Sequence, residues 1–137
     1  MAGYSENPLI KKLGIKPGFV MLVWHEPQGY WDWISPLPKG VEVKTGMRSG
    51  AFDFIHLFAR ERKVLEKELP PFMKAIKSNG MVWVSWLKKS SGIESDLDGN
   101  IVRNFALKNG WVDVKVCAVN EHWSGLKLVI PVKDRKR

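Results

Sequence analysis

Only one cysteine, Cys117, occurs in the 137 residues, which excludes an internal disulfide framework and a cysteine-rich zinc site. The longest wholly apolar run, Phe19 to Trp24, is six residues, against the roughly 20 that a membrane-spanning helix needs. Met1 to Glu6 has neither the basic nor the apolar region of a signal peptide, so a cytoplasmic location is the expectation, with no membrane partner. The three histidines, His25, His56 and His122, form no His-x-x-x-His pattern and have no cysteine pair beside them. No metal site is expected. No serine sits in a Gly-x-Ser-x-Gly elbow, and Cys117 lies in an apolar strand pattern with no base fixed near it. No catalytic residue is expected, and the chain leans away from being an enzyme.

The residues that are present describe an ordinary globular chain, 45% hydrophobic and 26% charged. Its size fits a single domain over residues 1–132, followed by a basic tail at 133–137 that reads as solvated. Seven tryptophans are many for this length, and core filling accounts for them best. The formal charge is +8, with +5 in residues 60–91 and +3 in residues 132–137. Such a balance permits nucleic-acid binding without requiring it. An exposed aromatic edge at Trp31-Asp32-Trp33 would suit a homo-oligomer contact.

Along the chain, strands and helices alternate. Residues 5–14 read as a short helix capped by Ser5 or Asn7, with Pro8 in its first turn and Gly14 at its end. Phe19–Trp24, Phe52–Phe58 and Met81–Trp86 are apolar without alternation, the pattern of strands buried on both faces. A short helix at Tyr30–Ser35 and a short strand at Val41–Val43 lie between the first two. Arg60–Ser78 has helical apolar spacing that Pro70-Pro71 should kink or restart, before Asn79-Gly80 stops it. A further helix starts at Asp96 or Asp98 and ends at Asn109-Gly110. Trp111–Val119 and Leu126–Val132 then form an antiparallel hairpin around a turn at Asn120–Gly125. The expected fold is a three-layer α/β domain with a mostly parallel sheet and an antiparallel C-terminal hairpin.

This order resembles the minimal core of the class I, Rossmann-like, S-adenosylmethionine (SAM)-dependent methyltransferases. The pieces that carry the likeness are Phe19–Trp24, Phe52–Phe58, Leu69-Pro70-Pro71-Phe72 leading through Asn79-Gly80 into Met81–Trp86, and the hairpin Gly110–Val132. The strings Pro8–Gly18, Trp83–Lys89 and Asp113–Leu128 are similar to a small bacterial family of unknown function. The resemblance implies SAM as cofactor, held by an acidic residue and a glycine-rich loop after the first strand. That stretch here is His25-Glu26-Pro27-Gln28-Gly29-Tyr30-Trp31, with one glycine, one proline and two large aromatics that should fill the cofactor's space. Lys44 also follows the second strand, where the resemblance implies an acid for a ribose diol. The expectation is a domain without methyltransferase activity or cofactor. A small working methyltransferase and a nucleic-acid binder on the basic surface are the alternatives.

In sheets of this kind ligands bind beyond the carboxyl ends of the strands. The loops there should bring together His25, Glu26, Arg60, Lys88, Lys89, Ser90 and Ser91, a set suited to a small anionic ligand.

Overall fold

The structure, a computed structural model, describes residues 7–135. It opens with helix α1 (Pro8–Leu13), strand β1 (Val20–Trp24), helix α2 (Tyr30–Trp33) and strand β2 (Glu42–Lys44). Strand β3 (Phe52–Phe58), helix α3 (Arg62–Ala75) and strand β4 (Ile76–Leu87) form the centre. Helix α4 (Gly99–Lys108) and strands β5 (Val112–Ala118) and β6 (Trp123–Val129) complete it. The six strands make one sheet in the order β2-β1-β3-β4-β6-β5. β2, β1, β3 and β4 are mutually parallel, and β6 joins β4 antiparallel with β5 antiparallel outside it.

Both faces of this sheet are covered, which explains the non-alternating strands. On one face Leu22, Ile55, Leu57, Val82 and Val84 pack with Leu65, Leu69 and Phe72 of α3 and Val102 and Ala106 of α4. On the other, Met21, Phe54, Phe58 and Trp83 pack with Ile10 and Leu13 of α1 and Tyr30 and Ile34 at α2. The three-layer α/β expectation therefore holds.

Several boundaries move, each for a local reason. α1 is capped by Asn7, whose side chain accepts the amides of Leu9 and Ile10, while Ser5 lies outside the described residues. α3 runs as one helix through Pro70 and Pro71, so the expected restart does not occur. The two prolines and the residues four before them, Glu66 and Lys67, all face solvent, so water serves the freed carbonyls. Leu69 and Phe72 hold the inner side of that turn in the core. β4 begins at Ile76, directly after α3, and Asn79-Gly80 lies inside the strand as an irregularity in its register with β3. β6 begins at Trp123, earlier than expected. Asn120 Oδ1 accepts the amides of both His122 and Trp123, and this compact turn reverses the chain at once.

Among the described residues, His56 and Ser85 are the buried polar side chains, both fully enclosed. His56 Nδ1 lies 2.9 Å from the Tyr30 hydroxyl, and His56 Nε2 lies 2.8 Å from Ser85 Oγ. A neutral imidazole donates from one nitrogen and accepts at the other, so one hydroxyl donates to the ring and the other accepts from it. The contact pins α2 to β3 and β4, and with α2 the loop that precedes it.

Two predictions follow from this packing. A Cβ at Gly80 would lie 2.8 Å from the Phe52 carbonyl oxygen, whereas one at Gly46 meets nothing within 4 Å. Gly80→Ala should cost about 1–3 kcal/mol in urea unfolding, and Gly46→Ala should stay within about 0.5 kcal/mol of the parent. Burial also holds His56 at about 3, below its ordinary 6.5. Unfolded chains take up this proton as pH falls through the ordinary value, and the folded chain does not. Stability is thus intact above that value and falls by about 1.4 kcal/mol per pH unit on acidification toward the folded value. Urea unfolding at pH 7 and pH 5 should show the loss in the parent. His56→Gln, less stable throughout, should lack that part of the acid slope; an unchanged slope would assign the proton uptake elsewhere.

Candidate functional site

The carboxyl ends of β1, β2, β3 and β4 lie along one edge of the sheet because these strands are parallel. β1 ends at Trp24, and His25 adopts a left-handed backbone with φ +63°, uncommon for a residue with a side chain. The turn carries the His25 ring to α3, where its Nε2 sits 3.1 Å from Glu68 Oε2. Glu26 faces the other way and accepts the Trp31 indole N–H at 3.3 Å. Gly29, at φ +91°, starts the single turn of α2.

A cleft of about 350 Å³ opens here, lined by Val23, Trp24, His25, Glu26, Trp31, Val43, Lys44 and Thr45. Its size is near the lower end for small-molecule sites. The expectation that Tyr30 and Trp31 together fill this space is corrected in part. Tyr30 is fully buried against the sheet, where burial and then the Glu26 charge push its hydroxyl pKa far up. Trp31 remains 37% exposed and forms one wall of the cleft. At β2, Lys44 is the residue after Val43, and its ammonium lies 3.9 Å from Glu42.

The other expected site residues occupy separate surroundings. Arg60, beyond β3, lines a second cavity of about 640 Å³ with Glu61, Glu94, Ser95 and Asp96. Three carboxylates against one guanidinium make that cavity unfavourable for an anion. Its walls are tied together: Ser95 Oγ donates to the Arg60 carbonyl at 2.7 Å, and Asp96 Oδ1 accepts the Arg62 amide at 2.8 Å. Asp96 thereby caps α3 from across the chain, while Asp98 caps α4 by accepting the Ile101 amide.

Lys88 follows β4, and its amide donates to the His122 carbonyl at 2.8 Å, fastening the hairpin tip to the strand end. Lys89, Ser90 and Ser91 form one 3-10 turn closed by Gly92 at φ +75°. Ser91 Oγ accepts the Ile93 amide, and Lys89 and Ser90 face solvent. Among the described residues, no side-chain hydrogen bond or ion pair joins any two of His25, Glu26, Arg60, Lys88, Lys89, Ser90 and Ser91. The structure places them along one edge of the sheet, with His25 and Glu26 sharing one cleft and Arg60 in another.

Sequence reading did not single out Thr45 or Val43 as cleft residues, or Glu68 as the partner of His25. Only strand register brings Val43 beside Met21, and the 43-residue separation of His25 and Glu68 gives no local pattern. Among the described residues, no group of three or more His, Cys, Asp or Glu side chains could hold a metal ion. No described helix is long and apolar enough to cross a membrane.

No protein-family model matches the chain, and no curated protein matches it. Solved structures do. A SAM-dependent methyltransferase from Aquifex aeolicus aligns with TM-score 0.56 and 15% identity, over 88% of this chain and 87% of that one. A TehB-like SAM-dependent methyltransferase from Corynebacterium glutamicum aligns with TM-score 0.58 and 12% identity, over 94% and 90% respectively. Phosphoethanolamine N-methyltransferase 2 from Haemonchus contortus, solved with SAM, gives TM-score 0.65 and 13% identity over 90% of this chain and 51% of its own. At these identities the likeness concerns the backbone alone, and it settles the fold: the chain has a methyltransferase-like Rossmann core.

Proposed function

We propose that this chain is a ligand-binding domain on a methyltransferase-like core that does not itself transfer methyl groups. The observation that supports this reading is the loop after β1. A cofactor lying there needs backbone that it can approach closely, and glycine supplies that approach. This loop instead presents a strained His25, Pro27 and the wall of Trp31, with Gly29 spent on entering α2. The Glu26 carboxylate, the acid that follows the first strand, already accepts the Trp31 indole N–H. Lys44 stands where a second acid would serve.

The ligand in this reading is small and anionic and binds at the carboxyl edge of the sheet. The acids around Arg60 leave the turn after β4 as its best seat. Lys88 and Lys89 supply charge there, Ser90 a free-facing hydroxyl, and Gly92 a backbone free to turn its amides inward. A small methyltransferase is the second reading. The open cleft lined by Glu26, Trp31 and Thr45 favours it, as do the SAM-dependent enzymes among the similar structures.

Titration calorimetry with SAM and with S-adenosylhomocysteine separates the two. The proposal expects no saturable heat, and micromolar binding of either would establish the second reading. For the anion, inorganic phosphate is the probe. Each charged contact contributes about 1.5–3 kcal/mol, so replacing Lys88 and Lys89 together by Ala should weaken phosphate binding at least tenfold, by the same energies. The melting temperature should stay nearly unchanged, since both side chains lie at the surface end of β4. A double variant that binds phosphate as the parent does would remove this turn as the seat.

A further inference from the structure

A second basic surface lies away from the strand ends, on the α1 side of the β5–β6 hairpin. In the ladder between these strands Lys115 stands directly opposite Lys127. Directly opposed residues share a face, with Cβ atoms about 5 Å apart, and like charges in that position oppose folding. Lys127 is also the register partner of Trp83 in β4. The Trp83 indole N–H donates to the Leu13 carbonyl at 2.9 Å, which seats the end of α1 beside this pair. Leu13 and Ile15 pack into the same apolar cluster as Cys117 and Val129 of the hairpin, and the charges of the flanking Lys12 and Lys16 reach it, Lys12 acting with Lys115 on the Cys117 thiol and Lys16 with Lys115 on Lys127. Among the described residues, none of these four lysines forms an ion pair. The charges feel one another: burial first, then Lys115 and Lys16, pull the Lys127 ammonium below its ordinary pKa.

Four ammonium groups from a helix, a turn and two strands are thus held on one platform, with no ion-pairing carboxylate among the described residues. We propose that this face, built from Lys12, Lys16, Lys115 and Lys127, docks the phosphodiester backbone of double-stranded nucleic acid. A duplex carries one negative charge per about 1.7 Å of its axis, the density that a cluster of like charges can match. The tryptophans beneath this face, Trp83 and Trp123, are buried, at 0% and 8% exposure, and so offer no open ring on which unpaired bases could stack. Burial of these rings likewise withholds them from a bilayer, whose interface such residues enter. Binding through phosphates alone is indifferent to base sequence. The surface is separate from the turn after β4. Leu87 pairs with Trp123 and Trp83 with Lys127, which sets Lys127 four residues, roughly 13 Å, down the strand from that end.

Fluorescence anisotropy with a labelled 20-base-pair duplex of arbitrary sequence tests the proposal. With four contacts, affinity should fall roughly 100-fold between about 50 and 200 mM salt, and in Lys115→Gln/Lys127→Gln only roughly 10-fold. That variant should bind more weakly at the lower salt and melt no lower than the parent, because it removes a repulsive pair. Should it fail to fold, Lys12→Gln/Lys16→Gln on α1 and its turn carries the same expectation. The Lys88→Ala/Lys89→Ala chain, equal in charge to these variants, should bind the duplex as the parent does whether or not it binds phosphate. Absence of duplex binding at the lower salt would overturn the proposal. So would equal loss in the Lys88/Lys89 variant, which would reduce the effect to net charge. Tighter binding to vesicles of phosphatidylcholine and phosphatidylserine, or to polyglutamate, than to the duplex at matched salt would overturn it in favour of those partners.

Discussion

Because the His56 ring is wholly enclosed, it stays neutral at ordinary pH and needs one donor and one acceptor inside the protein. Tyr30 and Ser85 meet that need, and the demand reaches further than the three residues. α1 and α2 have six and four residues, too few to be helical on their own account. What keeps them on the sheet is burial together with a few directional bonds. Tyr30 ties α2 to β3, the Trp83 indole ties the end of α1 to β4, and the Asn7 amide reaches the carbonyls of Trp33 and Ser35 and joins the two helices. The opposite layer, α3 and α4, is longer and held mainly by its apolar faces, with His25–Glu68 and Arg103–Asp113 as polar ties at its rim. One side of the sheet is secured by area and the other by pins.

This asymmetry shapes the carboxyl edge. α2 is one turn long, so the loop before it cannot swing far from the sheet once Tyr30 is buried. Trp31, next in sequence, is forced to the rim, where its indole meets Glu26. The cleft wall is therefore a by-product of the core bond. Loss of the Tyr30 contact with His56 would loosen the cleft through Trp31, which packs edge-on against the Tyr30 ring.

The sheet was legible because its strands are apolar on consecutive positions, a pattern that survives without knowledge of neighbours. Phe52–Phe58 matches its strand residue for residue. The ends of α1 and α4 were legible through Asn7, Gly14, Asp98 and Asn109-Gly110, where local chemistry decides. Pro70-Pro71 misled because the cost of a proline depends on whether its helix face is wet, and that is a tertiary fact. The expected cluster of seven site residues was inferred from loop order. Loop order gives the edge of the sheet but not the direction in which each side chain turns: the left-handed backbone at His25 sends its ring to Glu68, and Arg60 lines a cavity with Glu61, Glu94 and Asp96. Charge was the least legible quantity. Summed along the chain it points to residues 60–91, yet Lys115 and Lys127 belong to a segment, 92–131, that sums to −1.

The placement of those lysines also bears on how the sheet ends. β5 is an edge strand whose outer backbone groups are unpaired, with Val114 and Val116 exposed beside them, an arrangement that invites a second chain to add a strand. Two features oppose that addition. The register shifts between Asp113 and Lys115, which bends the edge out of line, and Lys115 sets a charge in the middle of the strand. A second copy pairing there would bring further ammonium groups against Lys115 and Lys127. The cost of one opposed lysine pair, about 0.2–1 kcal/mol, is small against the aggregation that an open apolar edge would permit. A charge retained to guard the edge stands ready-made for an anionic partner, because a phosphate relieves the same repulsion that keeps another strand away.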